Sequence, residues 1–95
     1  MLYSVIARFK PGVEAERDAL HEAFSDHLRQ PLLHIRLAAQ IRHPETAERQ
    51  GVLLLIESDD RKAIDHFLEL SPYNAAGLYE RIYIDELLIE AGGLN

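Results

Sequence analysis

Two histidines in one stretch near the N-terminus carry the side chains best suited to moving a proton. His21 and His27 lie in a region whose apolar residues recur with the period of a helix. On a helical wheel both border an apolar stripe centred near Phe24, so either imidazole can point along the boundary between the helix and the layer beneath it. An imidazole has an ordinary pKa of about 6.5 and serves as a general base near neutral pH when a second group fixes its tautomer. We take His21 and His27 as candidate catalytic residues, with an amphipathic surface position as the alternative for each.

Arg17 lies inside the same apolar stripe, four residues before His21. Its guanidinium is always charged, so it must meet a carboxylate, reach water at the edge of the stripe or receive an anionic ligand. Acidic side chains are close in sequence at Glu14 and Asp18. Two roles are therefore open for Arg17, ligand binding and an ion pair with a neighbouring acid, and the acidic composition favours the ion pair.

The composition excludes several kinds of site and partner. The 95 residues contain no cysteine, which excludes disulfides, thiolate nucleophiles and Cys-ligated metal sites. Asp18 and His21 have the i, i+3 spacing of metal ligands, but the sequence has no second such pair and no glycine-rich phosphate loop, so we expect no metal and no cofactor. Ten Lys and Arg against sixteen Asp and Glu give a net charge of −6, which argues against nucleic acid as a partner.

Length and hydropathy indicate a single domain over residues 1–95. The chain is 47% hydrophobic and 27% charged, which is typical of a soluble globular protein with one core. The most apolar run beyond the first residues, Val52 to Ile56, is far shorter than the roughly 20 residues of a membrane-spanning helix. The first residues lack the basic segment of a secretory signal. We expect no membrane association and a cytoplasmic protein.

Hydrophobic periodicity predicts four strands and two helices. Alternation over residues 1–9 predicts a strand, and the helical period over 13–30, closed by a proline, predicts the first helix. Residues 52–56 are apolar on both faces, which is typical of a central strand. A helix over 60–70, a turn at 71–73 and a strand over 81–87 follow. Residues 33–42 alternate without interruption and predict an edge strand with one buried side, formed by Leu33, Ile35, Leu37, Ala39 and Ile41.

The order strand, helix, strand, strand, helix, strand is the split βαβ pattern of α+β, ferredoxin-like domains. Right-handed crossovers put both helices on one face of a four-stranded antiparallel sheet, with the first and third strands in the middle. The apolar side chains that these strands send to the other face then have no cover within the chain, although burying each Leu or Ile is worth about 1.5 to 3 kcal/mol. We therefore predict a homodimer that packs sheet to sheet through the open face.

Two segments carry a resemblance to a known family. Residues 1–8, Met-Leu-Tyr-Ser-Val-Ile-Ala-Arg, and above all 71–80, Ser-Pro-Tyr-Asn-Ala-Ala-Gly-Leu-Tyr-Glu, are similar to segments of the YciI-related family. The family form of the second segment is Asp-Pro-Tyr, a few variable residues, Ala-Gly, an aliphatic, an aromatic and often Glu. With the matching order of elements, the resemblance spans essentially the whole chain.

The resemblance implies a dimeric α+β barrel with a pocket between the first helix and the sheet, in a family whose members bind or act on small organic molecules. One branch eliminates chloride from a chlorinated hydroxyquinol. The family's catalytic group is a His on the first helix, which His21 or His27 can supply, and its partner is the Asp of Asp-Pro-Tyr, where this chain has Ser71. We take Arg17, Tyr3, Ser71 and Tyr73 as the ligand-binding candidates.

These observations predict a small-molecule-handling protein, a cofactor-free lyase or isomerase that acts on a small aromatic or anionic metabolite by His general acid and base chemistry. The alternative is a non-catalytic ligand-binding or accessory domain. Ser71 favours the alternative because it removes the acid that would orient the histidine. Ser71 does not exclude the catalytic version, because Asp26, Asp65 or Asp85 can approach the histidine from elsewhere in the fold.

Overall fold

The computed structural model describes residues 1–94, and its elements follow the predicted order. This confirms the α+β, ferredoxin-like architecture, to which the structure adds a one-turn helix near the turn predicted at 71–73. The first helix also ends two residues before its predicted limit. Along the chain the elements are β1 (Leu2–Phe9), α1 (Glu14–Leu28), β2 (His34–Arg42), β3 (Arg49–Glu57), α2 (Arg61–Leu70), α3 (Pro72–Ala75) and β4 (Tyr79–Leu87).

Local signals explain where the later helices begin and end. The carboxylate of Asp60 accepts a hydrogen bond from the backbone N–H of Lys62 at 2.9 Å and caps α2. Pro72 occupies the first turn of α3, where its missing N–H has no partner to lose. Gly77 follows α3 with a φ of 72°, in the left-handed region that favours glycine. These signals fix the short connection that brings Tyr73 against α1.

The four strands form one antiparallel sheet in the order β2-β3-β1-β4, with β1 and β3 in the centre as predicted. Val5 of β1 pairs with Leu54 of β3 and with Ile84 of β4, so these three side chains share one face of the sheet. That face packs against the helices and forms the core. Buried residues of the core include Val5, Val52, Leu54, Ile56, Phe24, Ile64, Phe67, Leu68 and Tyr73.

A bulge in β2 breaks the alternation expected there. Ile35 pairs with Ile56, but the next aligned pair is Leu37 with Leu55, so Arg36 is the extra residue. Ile35 therefore faces the helices, whereas Leu37, Ala39 and Ile41 face the opposite side. The expectation of one continuous apolar side along this strand is wrong, because a bulge makes two residues of one strand oppose one residue of its partner.

The face of the sheet opposite the helices carries large apolar side chains that remain partly exposed. Leu37 on β2 is 41% exposed, and on β4 Tyr83 is 48% and Leu87 38% exposed. Isolated exposed apolar residues are ordinary, but a group on one sheet face marks a surface suited to contact. We call this surface the open face.

The C-terminal segment after β4 crosses toward β2, on the opposite edge of the sheet. There Arg36 donates a hydrogen bond to the carbonyl oxygen of Leu94 at 2.7 Å. Leu88 and Ile89 in the same segment are exposed, so their side chains do not cover the open face. No helix within residues 1–94 is long and apolar enough to span a membrane.

Candidate functional site

One side of α1 brings several of the predicted site residues toward the sheet. Arg17, His21, Phe24 and Leu28 are spaced by three or four residues and therefore share a face of the helix. Arg17 and Phe24 are buried, while His21 is exposed at the edge of this face. Two adjacent spaces open between α1 and the sheet, and Arg49 at the start of β3 lines both of them.

The smaller space contains His21 and has a volume of about 160 Å³. We call it the His21 groove, and it is also lined by Gln40 and Arg49. The Nδ1 atom of His21 lies 3.5 Å from the hydroxyl of Tyr73, at the outer limit of a hydrogen bond. Tyr73 is fully buried, and its ring stacks on Phe24 with 4.4 Å between the centroids. A fixed phenol therefore faces one nitrogen of an accessible imidazole.

His27 is engaged elsewhere, at the contact between α1 and α2. Its ring stacks on Phe67 with 4.3 Å between the centroids, and its Nε2 lies 2.9 Å from the carbonyl oxygen of Phe67, to which it can only donate. An apolar cavity of about 250 Å³ lies beside it, with Leu33 and Leu70 among its lining residues. The structure thus places the two candidate histidines in different environments.

The larger space, about 550 Å³, is rich in cationic side chains. We call it the arginine cleft, and Arg17, Arg49 and Phe9 form its inner wall. The guanidinium carbons of Arg17 and Arg49 lie 5.7 and 5.9 Å from the centroid of the Phe9 ring, which are cation–π distances. The remaining cationic lining residues are Arg8, Lys10 and Arg81.

The two inner arginines differ in how their charges are compensated. Arg17 donates from Nε and Nη2 to Oδ1 of Asp18 at 3.3 and 3.2 Å, and from Nη1 to the backbone carbonyl of Arg49 at 3.3 Å. The predicted ion pair with an acidic neighbour is therefore present. Within the described residues Arg49 has no salt bridge, and its Nε is buried without a hydrogen-bond partner. No pattern in the sequence distinguishes Arg49, because a lone arginine before a strand has no characteristic spacing.

The buried Ser71 and the half-buried Tyr79 lie near the aromatic rings of the core. The hydroxyl of Ser71 is buried and finds no hydrogen-bond partner within residues 1–94. The ring of Tyr79 lies 5.5 Å from that of Phe9 and 6.1 Å from that of Tyr73. Burial raises the pKa of the Tyr79 hydroxyl far above its ordinary value, and the charge of Arg49 offsets only part of that rise.

Tyr3 lies apart from this cluster. It is buried near the start of β1, and its hydroxyl approaches the sulfur of Met1 at 3.9 Å. Phe9 is six residues further along the same strand, which corresponds to about 20 Å. The structure therefore brings Arg17, His21 and Tyr73 together with Ser71 nearby, and leaves Tyr3 and His27 at other places in the fold.

Metal ligation finds no support in the arrangement of side chains. Among the residues that the structure describes, no group of three or more His, Cys, Asp or Glu is placed to hold a metal ion.

Solved structures resemble this fold over nearly its whole length. A 5-chloro-2-hydroxyhydroquinone dehydrochlorinase from Burkholderia phenoliruptrix, in complex with 2,5-dihydroxybenzoquinone, superposes with a TM-score of 0.84 at 21% identity, covering 93% of this chain and 94% of that one. A proposed antibiotic biosynthesis monooxygenase from Chloroflexus aurantiacus has a TM-score of 0.52 at 15% identity and full coverage of both chains. A hypothetical protein from Pyrococcus horikoshii has a TM-score of 0.51 at 15% identity, covering 95% of this chain and 94% of that one.

Sequence comparison assigns the family. No curated protein matches the chain at a significant level. The model of one domain family matches residues 1–87, which is nearly the entire chain and includes every residue of the candidate site described above. The protein is therefore a member of the YCII-related domain family.

Proposed function

We propose that this protein binds and transforms a small organic molecule between α1 and the sheet, with His21 as the group that moves a proton. The observation that carries the proposal is the contact between Nδ1 of His21 and the buried hydroxyl of Tyr73, at the edge of a groove that also contains Arg49. The groove thus brings together the accessible imidazole of His21, the fixed hydroxyl of Tyr73 and the charge of Arg49.

The geometry supports His21 over His27 for this role. When Nδ1–H of His21 donates to the oxygen of Tyr73, the lone pair of Nε2 is left to accept a proton from a ligand. His27 uses Nε2 for the carbonyl of Phe67, and its ring is held flat against the Phe67 side chain. Nδ1 of His27 stays free to accept a proton, but the cavity beside it is apolar and has no Arg or Lys among the lining residues that the structure describes to stabilise an anion.

The chemistry that we propose is cofactor-free proton transfer on a small aromatic or anionic compound, as in a lyase or isomerase. The dehydrochlorinase that resembles this chain offers a specific case, since its name describes the loss of HCl from a chlorinated hydroxyhydroquinone. In such a reaction a base takes one proton and chloride leaves with its bonding electron pair, so no oxidant or reductant is needed. His21 would take the proton, and a nearby guanidinium would stabilise the anion that forms.

A non-catalytic binding domain is the second candidate, and the environment of His21 favours it. No carboxylate of residues 1–94 is hydrogen-bonded to His21, and the Asp expected from the family pattern is replaced by Ser71. An imidazole held by a phenol alone gains less basicity than one paired with a carboxylate. The two candidates share the binding site and differ in turnover.

A second copy of the chain is the partner that we propose for the open face. Its exposed Leu37, Tyr83 and Leu87 come from both edges of the sheet, and the C-terminal segment leaves them uncovered. A copy related by a two-fold axis would bury the same surface on both chains. Cytoplasmic localisation stays a prediction from the sequence.

The test uses 2,5-dihydroxybenzoquinone as binding probe and 5-chloro-2-hydroxyhydroquinone as substrate, with His21→Gln compared with His66→Gln. His66 is exposed on α2 and lies outside the His21 groove. We expect the probe to shift the NMR signals of His21, and we expect His21→Gln to lower chloride release by about 100-fold or more while His66→Gln does not. Binding without chloride release supports the non-catalytic candidate, and probe signals that move only at His27 contradict the proposed site.

A further inference from the structure

We propose that Arg17 and Arg49 form an anion-binding site on the ring of Phe9, and that its ligand is the carboxylate of a small organic acid. This inference rests on the proposed function, since it names the class of molecule that the protein handles. It depends on Arg17 and Arg49 in the arginine cleft, whereas the proton-transfer group lies in the His21 groove, which shares Arg49 with that cleft.

Arg49 carries a charge that no acidic side chain of the described residues compensates. Asp18 compensates Arg17, but within the described residues no carboxylate pairs with Arg49, whose Nε is buried without a partner. A buried donor without a partner is unfavourable, and so is a second guanidinium on a ring that already holds one. An anion beside both guanidiniums would compensate the charge of Arg49 and reduce the repulsion between the two arginines.

The arginine cleft has more cationic than acidic side chains in its lining. The arginine cleft is lined by five cationic side chains and by three acidic ones, Glu14, Glu48 and Glu80. The chain as a whole has a net charge of −6, so this cleft is positive in an otherwise acidic protein. A positive concave surface concentrates small anions from solution.

The residues that line the arginine cleft favour a planar monoanion over other anions. The three glutamates of the lining repel a dianion such as hydrogen phosphate more strongly than a monoanion. A guanidinium edge matches the two oxygens of a planar carboxylate with two parallel hydrogen bonds. The volume of about 550 Å³ admits a ring-sized acid, and the Phe9 ring provides an apolar surface for it.

The experiment titrates the full-length chain with benzoate and with benzamide, which has the same shape and no charge. We expect benzoate to shift the NMR signals of Phe9 and the two arginines, and benzamide to bind at least about tenfold more weakly. Inorganic phosphate at equal ionic strength should bind more weakly than benzoate. Equal binding of benzoate and benzamide to the unmodified protein overturns the inference without any variant.

Substitutions identify the residues responsible. Arg49→Gln should weaken benzoate binding by about tenfold or more, whereas Arg42→Gln is the matched control and should change it less than about twofold. Arg42 is close to Arg49 across the β2–β3 pair but does not line the cleft. Its replacement by glutamine removes the same charge from the protein. Equal losses of benzoate affinity in both variants would show that a diffuse positive field, and not a site at Arg49, attracts the anion. That result would overturn the inference.

One further variant separates this inference from the proposed function. His21→Gln should retain most of the affinity for benzoate, with a loss of less than about threefold, because the arginines hold the carboxylate and His21 does not line the arginine cleft. If benzoate binds through Arg49 and no histidine-dependent turnover is found, the anion site stands and the catalytic proposal fails. If turnover depends on His21 but benzoate and benzamide bind equally, the anion site fails and the catalytic proposal stands.

Discussion

Replacing Leu37 by glutamate tests whether the open face of the sheet holds a second copy of the chain. Leu37 is 41% exposed, so a covering partner would gain roughly 40% of the value of burying a leucine, about 0.6 to 1.2 kcal/mol. A two-fold axis places the same side chain on both copies, which gives about 1.2 to 2.4 kcal/mol for the pair. The apolar contribution alone therefore corresponds to roughly a 10- to 50-fold change in the dissociation constant.

The introduced charge increases this effect. Each glutamate in an apolar interface loses hydration without a partner, which costs about 1 to 3 kcal/mol or more. We therefore expect Leu37→Glu to raise the dissociation constant by at least about 100-fold. Folding of the single chain should lose less, about 1 to 2 kcal/mol, because only the part of Leu37 that is already buried contributes to it.

Sedimentation velocity at micromolar concentration measures the result. The unmodified protein should sediment at twice the chain mass of 10.8 kDa, and Leu37→Glu at that mass itself. Leu32→Glu is the control, because Leu32 is 88% exposed and lies beside the cavity at His27, away from the open face. A 10.8 kDa species for the unmodified protein, or an undiminished dimer in Leu37→Glu, would refute the packing that we propose.

Three substitutions probe the site and the sheet. Tyr73→Phe keeps the buried ring but removes the hydroxyl next to His21, so we expect a loss of about 0.5 kcal/mol in the free energy of unfolding and a changed tautomer ratio of the His21 imidazole by NMR. An unchanged tautomer ratio would mean that the phenol does not orient the imidazole. Burial raises the pKa of Tyr79, so above pH of about 10 the unfolded chain loses this proton first, and the free energy of unfolding should fall by up to about 1.4 kcal/mol per pH unit. In urea denaturation at alkaline pH, Tyr79→Phe should remove this part of the dependence of the unfolding free energy on pH. An equal dependence in the variant and the unmodified protein would contradict the assignment of the raised pKa to Tyr79. Gly51→Ala places a Cβ against a backbone carbonyl of β1 and should destabilise the fold by about 2 kcal/mol or more, while Gly93→Ala, with open space around it, should cost less than about 0.5 kcal/mol.

The sequence predicted the order of elements because each central strand and each helix carries its own period. Right-handed crossovers predict β1 and β3 in the centre, and apolar residues on both faces predict it separately for β3. The pairing of Val5 with Leu54 agrees with this placement. The bulge at Arg36 could not be predicted in the same way. Alternation records only the types of successive residues, whereas a bulge is defined by the partner strand.

The candidate site was less predictable because its residues acquire their roles through tertiary contacts. A helical wheel puts His21 and His27 in equivalent border positions, and only the neighbours, Tyr73 for one and Phe67 for the other, distinguish them. Arg49 is separated from Phe9 by 40 positions in the sequence, so no local pattern indicates that the two side chains meet. The motif around Tyr73 was informative because it lies in a single segment.

The position of Arg49 between the two spaces connects the anion site to the proton-transfer group. Arg17 and His21 are four residues apart on α1, which is a rise of about 6 Å along the helix. A carboxylate bound at Arg17 and Arg49 would therefore bring a ring attached to it toward His21, while a shorter acid would stop before it. Acetate should consequently compete with benzoate for the arginine cleft and leave the NMR signals of His21 unmoved, whereas an acid with a ring should shift both. If acetate moved the His21 signals as much as benzoate does, the two spaces would not form one extended site.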